Sequence, residues 1–141
     1  LLYWVGDNMK HEKSCGAIII KDDKVLVLVQ NTGLHGFPKG HMEFRENEIT
    51  TAKREVKEET NIDIDIYSKL RFPIKYTMKN GVKKKVIYFV GYPINDNPIP
   101  QHTEVKEIKW IDIDKVEDFL ESEDIKKLYK KAIKQYKKTI Y

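Results

Sequence analysis

The stretch Gly40-His-Met-Glu-Phe-Arg-Glu-Asn-Glu-Ile-Thr-Thr-Ala-Lys-Arg-Glu-Val-Lys-Glu-Glu-Thr-Asn-Ile62 decides how this chain is read. Glu43, Glu46, Glu55, Glu58 and Glu59 are all carboxylates, and the last three fall within about one turn of a helix. Like charges that close repel, so a stable fold needs something to hold them. A hard divalent cation, which takes oxygen ligands, is the usual partner.

Asn47 is placed to cap a helix over about 47–60. On a wheel of about 100° per residue with Glu55 at zero, Glu59 falls at about +40° and Glu58 at about −60°. Ala52, Val56 and Ile49 occupy the adjoining arc. The helix therefore carries an apolar stripe for the core and an acidic stripe beside it. Arg54 precedes Glu58 by four residues, a spacing that lets the two pair along the surface. The competing reading is a solvated charged face. Two features favour a metal site: the acidic arc borders the apolar stripe, and a glycine-rich loop ends where the helix begins. Gly40, having no side chain, can bring its carbonyl close to the same cation.

Working outward, Cys15–Ile20 and Val25–Val29 read as a hairpin around Lys21–Lys24. Residues 31–41, with three glycines and a proline, read as loop. Ile62–Ile66 alternates and reads as a half-buried strand, residues 70–78 and 84–92 as two more, joined by an Asn80-Gly81 turn. Residues 93–100 read as a second loop and Val105–Ile111 as a strand. Asp114 and Glu117 have capping-box spacing for a short helix, and a last helix is expected from about Glu123 to Lys138. Without regular βα alternation, a doubly wound sheet does not fit. The order predicts an α/β/α sandwich of the α+β kind, a mixed β-sheet packed between helices.

A chain of 141 residues fits one domain, expected over 9–141, with residues 1–8 an N-terminal extension of unknown role. A hydrophobic content of 40% supports a single core, and 34% charged residues is not the signature of disorder. A net charge of +4 permits an anionic ligand such as a phosphate ester without demanding a nucleic-acid surface. The single cysteine, Cys15, rules out an internal disulfide and fits a reducing compartment. No apolar stretch approaches a membrane span, and residues 1–8 lack the basic start of a secretory signal. The expected compartment is the cytoplasm, with no membrane partner; oligomeric state is left open.

The positions Gly40, Glu46, Arg54, Glu55, Val56, Glu58, Glu59 and Ile62 resemble the Nudix box, G-x5-E-x7-R-E-U-x-E-E-x-G-U with U apolar. One position departs: Asn61 stands where the family has glycine. Asparagine is the next-best residue for the left-handed conformation that ends a helix. The resemblance implies the Nudix fold and hydrolysis of a nucleoside diphosphate linked to another moiety, with Mg2+ or Mn2+ as cofactor. By position it implies Glu55, Glu58 and Glu59 as metal ligands assisted by the Gly40 carbonyl, Arg54 as the group that orients them, and Glu46 as a structural acid. Divalent cations fit that chemistry because they neutralise phosphate oxygens, acidify bound water and clamp the displacement geometry.

A proton acceptor is still needed. Many Nudix enzymes place one more glutamate in the loop before a late strand, and the resemblance implies Glu104, in that loop, as ligand or general base, against the competing reading of a surface glutamate. Glu107, inside the strand pattern, and Glu55 itself are the competitors. The start Glu12–Ala17, the loop Phe37–His41, the strand Val86–Phe89 and the segment from Glu104 to Ile111 are similar to the asymmetrical bis(5'-nucleosyl)-tetraphosphatase branch. His35 stands where that branch commonly has tryptophan. The resemblance implies a small nucleotide substrate, a dinucleoside polyphosphate such as diadenosine tetraphosphate. Nucleoside triphosphates, ADP-ribose or an RNA 5' end are alternatives, as is a module that binds a nucleotide without turning it over. Lys39, His41 and the Lys83–Lys85 run are expected to meet phosphates, Tyr76 and Tyr88 a base. Against these stand a solvated hairpin end for the lysines and core packing for Tyr88. The lysine-rich last helix reads as a solvated face.

Overall fold

The computed structural model describes residues 2–5, 9–95, 97–101, 103 and 105–140. Short β-branched runs build most of the sheet. β1 (Leu2–Val5) and β2 (Met9–Lys21) are antiparallel, and β3 (Lys24–Gln30) returns from β2 through Asp22 and Asp23. Both aspartates have positive φ, 51° and 58°, the geometry that matches strand twist in a two-residue hairpin. β4 (His35–Gly36) and β5 (Lys39–His41) follow, then α1 (Glu48–Thr60), β6 (Ile64–Thr77), β7 (Lys83–Pro93) and β8 (Val105–Asp112). A 3₁₀ turn at Val116–Phe119 and α2 (Glu123–Ile140) complete the chain.

β2 is the spine. Along one side it pairs in succession with β1, β5 and β3; along the other it runs parallel to β7, with Cys15 opposite Ile87 and Gly16 opposite Tyr88. β6 closes antiparallel on β7, while β4 and β8 flank β3. Strand alternation then sorts side chains to two faces. Ile18, Ile20, Val86 and Val90 pack with Leu128, Tyr129 and Ala132 of α2. Ala17, Ile19 and Leu26 pack with Val56 of α1, and Cys15, Ile87 and Phe89 with Ala52. The result is the expected mixed sheet between two helical layers.

Several expectations are corrected in detail. The 31–41 segment is not all loop, because β4 and β5 form there through backbone pairing with β3 and β2, which glycine and proline content cannot reveal. The strands expected at 62–66 and 70–78 are one strand, β6, with a register shift between Tyr67 and Arg71. The 114–117 capping box does not form: the helix there is a four-residue 3₁₀ turn without a side-chain cap, and Asp114 meets Lys137 at 3.4 Å instead. α2 is capped by Ser122, whose Oγ accepts from the Asp124 amide at 3.2 Å.

Asn61 ends α1 at φ 62°, ψ 16°, its amide donating to the Lys57 carbonyl at 2.9 Å. The family glycine is thus replaced by the residue that best tolerates this conformation. Asn61→Gly is expected to change stability by only a few tenths of a kcal/mol, whereas Asn61→Val costs about 1–2 kcal/mol from left-handed strain, measured by urea unfolding.

Candidate active site

α1 enters with Asn47, whose side chain accepts the Thr50 amide at 2.8 Å. Two turns later Arg54 spreads its guanidinium over several acceptors at once. Nε donates to Glu46 Oε2 at 2.7 Å and Nη2 to Glu46 Oε1 at 3.0 Å, a two-pronged pair. Nη1 reaches Glu55 Oε1 at 2.8 Å and Glu58 Oε1 at 3.1 Å. Nη2 also donates to the carbonyl of His41 at 2.8 Å, tying α1 to the end of β5.

Glu46 is the anchor of this knot. It also accepts the Glu43 amide at 2.8 Å and the Thr51 hydroxyl at 3.0 Å. The hydrogen bonds from Arg54 outweigh the burial and hold its carboxyl down at about 2. Glu55 is shifted the other way: burial raises it above the usual carboxylate range despite Arg54 beside it. A Cβ on Gly40 would overlap the Glu55 carboxylate. Only glycine lets β5 lie this close to the acid, so the Gly40 backbone and the Glu55 oxygens share one small space.

Glu58 is exposed, held on one side by Arg54. Glu59 borders a cavity of about 320 Å³ together with Gln30, Asn31 and Thr103. The loop after β7 is drawn onto this end of α1: the Gln101 amide donates to the Glu59 carbonyl at 3.1 Å and Asn31 Nδ2 to the Thr103 carbonyl at 2.9 Å. Glu104 lies outside the described residues. Glu107 sits on β8, with its carboxylate 3.9 Å from Lys109. Among the described residues no three acidic, histidine or cysteine side chains converge into a ready-made metal cluster. The donors near Gly40 are nevertheless all oxygens, and the missing glycine side chain brings its backbone against the desolvated Glu55 carboxylate. That set fits a hard divalent cation.

The expected substrate contacts divide between the faces of the sheet. Lys39 is half-buried; burial, then the adjacent Lys84, pushes its amine below the usual lysine range, with Glu59 and Glu12 opposing. Lys84, in the middle of the lysine run, pairs with Glu12 at 3.2 Å, and the same carboxylate oxygen meets His41 Nε2. Alternation sends Lys85 to the α1 face, where burial, then Lys13, Lys75 and Arg71, lower it. Lys83, Lys84 and Lys85 line a cleft of about 480 Å³ at the hairpin end with His11, Lys75 and Tyr76. Tyr76 is 43% exposed, but Tyr88 is only 4% exposed and packs edge-on to Phe37 at 5.9 Å. Tyr88 is thus a core residue whose edge borders a further cleft of about 460 Å³, shared with Tyr76 and Lys39. The sequence reading missed Glu12; its signal was alternation, which places it on the same face of β2 as Ser14 and Gly16, opposite β5.

A NUDIX domain model matches residues 10–133, and the chain belongs to the NUDIX family. It is 26% identical over 152 residues to Nudix hydrolase 8 of Arabidopsis thaliana, an alignment that takes in 94% of this chain but only 40% of that protein. It is 25% identical over 129 residues to the asymmetrical bis(5'-nucleosyl)-tetraphosphatase of Rattus norvegicus, covering 81% and 88% of the two. A C. elegans Ap4A hydrolase, solved as a binary complex, has the same fold, with a TM-score of 0.79 at 24% identity over 92% of this chain and 99% of that one. Among the described residues no helix is long and apolar enough to cross a membrane.

Because Glu46 titrates at about 2 in the fold and from 4.5 when released, its contribution is complete above pH ~4.5 and is lost as pH falls toward 2. Its side chain is 13% exposed, so solvent screening trims the contribution to about 2 kcal/mol. Glu46→Gln is expected to lose about that much at pH 7 and to flatten the acid limb of the stability curve, measured by urea unfolding across pH.

Proposed function

We propose that this chain is a Mg2+- or Mn2+-dependent hydrolase of a phosphoanhydride bond in a nucleoside polyphosphate, and that its substrate is a dinucleoside polyphosphate such as diadenosine tetraphosphate, released as ATP and AMP. The observation that carries the reading is the Gly40 backbone set against the desolvated Glu55 carboxylate, with Arg54 linking Glu55 to Glu58 on the same helix.

Glu55, Glu58, Glu59 and the Gly40 carbonyl would hold the cation, with Glu104 as a further ligand or the base. The cation, when bound, supplies charge neutralisation on the phosphates and a more acidic water. Arg54 keeps Glu55 and Glu58 aimed while Glu46 holds Arg54. In the displacement a water oxygen bonds to one phosphorus, the anhydride P–O bond breaks, and the other nucleotide leaves with the bond electrons. The water proton passes to a carboxylate, Glu104 or Glu55. Lys39 and Lys84 lie close enough to repel, which suits a pair that shares an anionic phosphate chain. His41 lies beside them through Glu12. Tyr76 offers its exposed face to a base, with the Tyr88 edge beneath. The basic hairpin cleft of about 480 Å³, bearing Lys83 and Lys85, favours a long, highly charged substrate over a short one.

A panel of diadenosine tetraphosphate, nucleoside triphosphates, ADP-ribose and 5'-triphosphorylated RNA, with products separated by chromatography, tests the reading. Fastest turnover of diadenosine tetraphosphate, absent without the metal and restored by magnesium, is the expected result. Glu58→Gln is expected to lower kcat by at least a thousandfold with the fold intact. Near-full activity in that variant removes the metal site, equal rates on diadenosine tetraphosphate and triphosphates remove the substrate class, and tight binding without turnover makes the chain a sensor.

A further inference from the structure

α2 carries seven lysines between positions 126 and 138, which in the sequence read as one solvated face. The structure divides them. Lys126 pairs with Glu123 at 3.6 Å, Lys130 with Glu117 at 3.5 Å and Lys137 with Asp114 at 3.4 Å. Lys127, Lys131, Lys134 and Lys138 are exposed and, among the described residues, have no ion pair. On a wheel of about 100° per residue with Lys134 at zero, these four fall between 0° and about +60°, and the paired three between about −40° and −80°. Leu128, Tyr129, Ala132 and Ile133, which hold the helix on the sheet, occupy the remaining arc. The unpaired lysines therefore form one row, about 17 Å long, on the side of α2 turned away from the sheet. Like charges three and four residues apart on a helix repel, and the acids closest to relieve them are engaged by the other three lysines.

The chemistry around the row limits what can cover it. The apolar side of α2 is docked on the sheet, so no apolar group stands beside the lysines to enter a bilayer. Glu121, Glu123 and Asp124 are exposed at the start of the helix, where a broad anionic plane would meet them as well as the row. A narrow, linear polyanion meets the row alone. A nucleic-acid strand carries one negative charge per nucleotide, about 3.4 Å apart along the axis when stacked and farther apart when extended. Successive lysines of the row rise by about 4.5–6 Å, a comparable spacing. The lysine ammonium is a mobile point charge that suits phosphate and carries no sequence information. We propose that this row is a docking surface for the phosphate backbone of a single-stranded nucleic acid, held by charge and without regard to base sequence. It lies across the sheet from α1 and Glu55, so docking on the row and turnover at Glu55 separate experimentally.

Fluorescence anisotropy of short labelled RNA strands of two unrelated sequences, in EDTA and over roughly 50–200 mM salt, tests the surface. Wild type is expected to bind both strands alike, with Kd on the order of 10⁻⁵ M at about 100 mM salt. The logarithm of affinity should fall against the logarithm of salt with a slope of about −3, the ion release of four phosphate contacts. Lys131→Gln/Lys134→Gln/Lys138→Gln is expected to weaken binding about tenfold or more and to bring the slope near −1. Glutamine keeps the helix propensity, and circular dichroism melting checks the fold. The control Lys69→Gln/Lys79→Gln/Lys106→Gln removes the same charge from three exposed lysines elsewhere and should weaken binding less than about threefold. Equal weakening by the two variants assigns the binding to net charge and overturns the proposal. Wild type that binds neither strand at about 100 mM salt overturns it as well and leaves α2 a solvated face. A folded row variant that keeps wild-type affinity, or that loses RNA and nucleotide turnover together, places the strand elsewhere and also overturns it. Cosedimentation with vesicles of about one-fifth anionic lipid is the remaining arm. Vesicles held by the row while RNA is not make the surface a membrane contact, and the nucleic-acid assignment falls.

Discussion

The guanidinium of Arg54 is the interaction on which the rest of the site depends. It joins Glu46, Glu55, Glu58 and the His41 carbonyl in one planar fork, so a single side chain fixes the distance between α1 and β5. Lysine could not replace it, because an ammonium cannot donate along two parallel lines to one carboxylate and still reach a third and fourth acceptor in the same plane. The knot also sorts the acids by environment. Glu46 is tied by Arg54 and held well below the usual carboxylate range, while burial against a glycine pushes Glu55 above it. Two carboxylates that share one guanidinium are thereby given opposite characters by burial and hydrogen bonding.

β2 performs the matching task on the other face of the sheet. Its parallel pairing with β7 sets Glu12 opposite Lys84, and its pairing with β5 sets Ser14 opposite His41. Glu12 can then join His41 and Lys84, and Lys84 approaches Lys39 across the same face. The two cations repel, and Glu12 and Glu59 offset only part of that repulsion. The sheet thereby sets this lysine pair on one face of β5 and the glycine-backed Glu55 carboxylate on the other.

Much of this was legible in the chain alone. The spacing of Gly40, Glu46, Arg54, Glu55, Glu58 and Glu59 gave the helix, its acid stripe and the Nudix resemblance, and Asn47 and Asn61 marked its ends where the structure has them. These are properties of one short segment whose period is fixed by helical geometry, so no distant residue was needed. The Asn80-Gly81 turn was equally local, with Gly81 at φ 84°. The failures are of the other kind. β4 and β5 exist because strands far along the chain lend them hydrogen bonds, and the bulge in β6 exists because β7 holds both of its halves.

The sequence by itself determined the helix, its caps and the identity of the acids, because those follow from residues three and four apart. Only the tertiary structure decided where each group goes: that Glu46 faces Arg54, that Lys85 rather than Lys84 turns to the α1 face, that Tyr88 is core and Tyr76 is not, and that His35 ends with a buried nitrogen. Those outcomes depend on long-range pairing register, and a shift of one residue in β7 would exchange the faces of all three lysines.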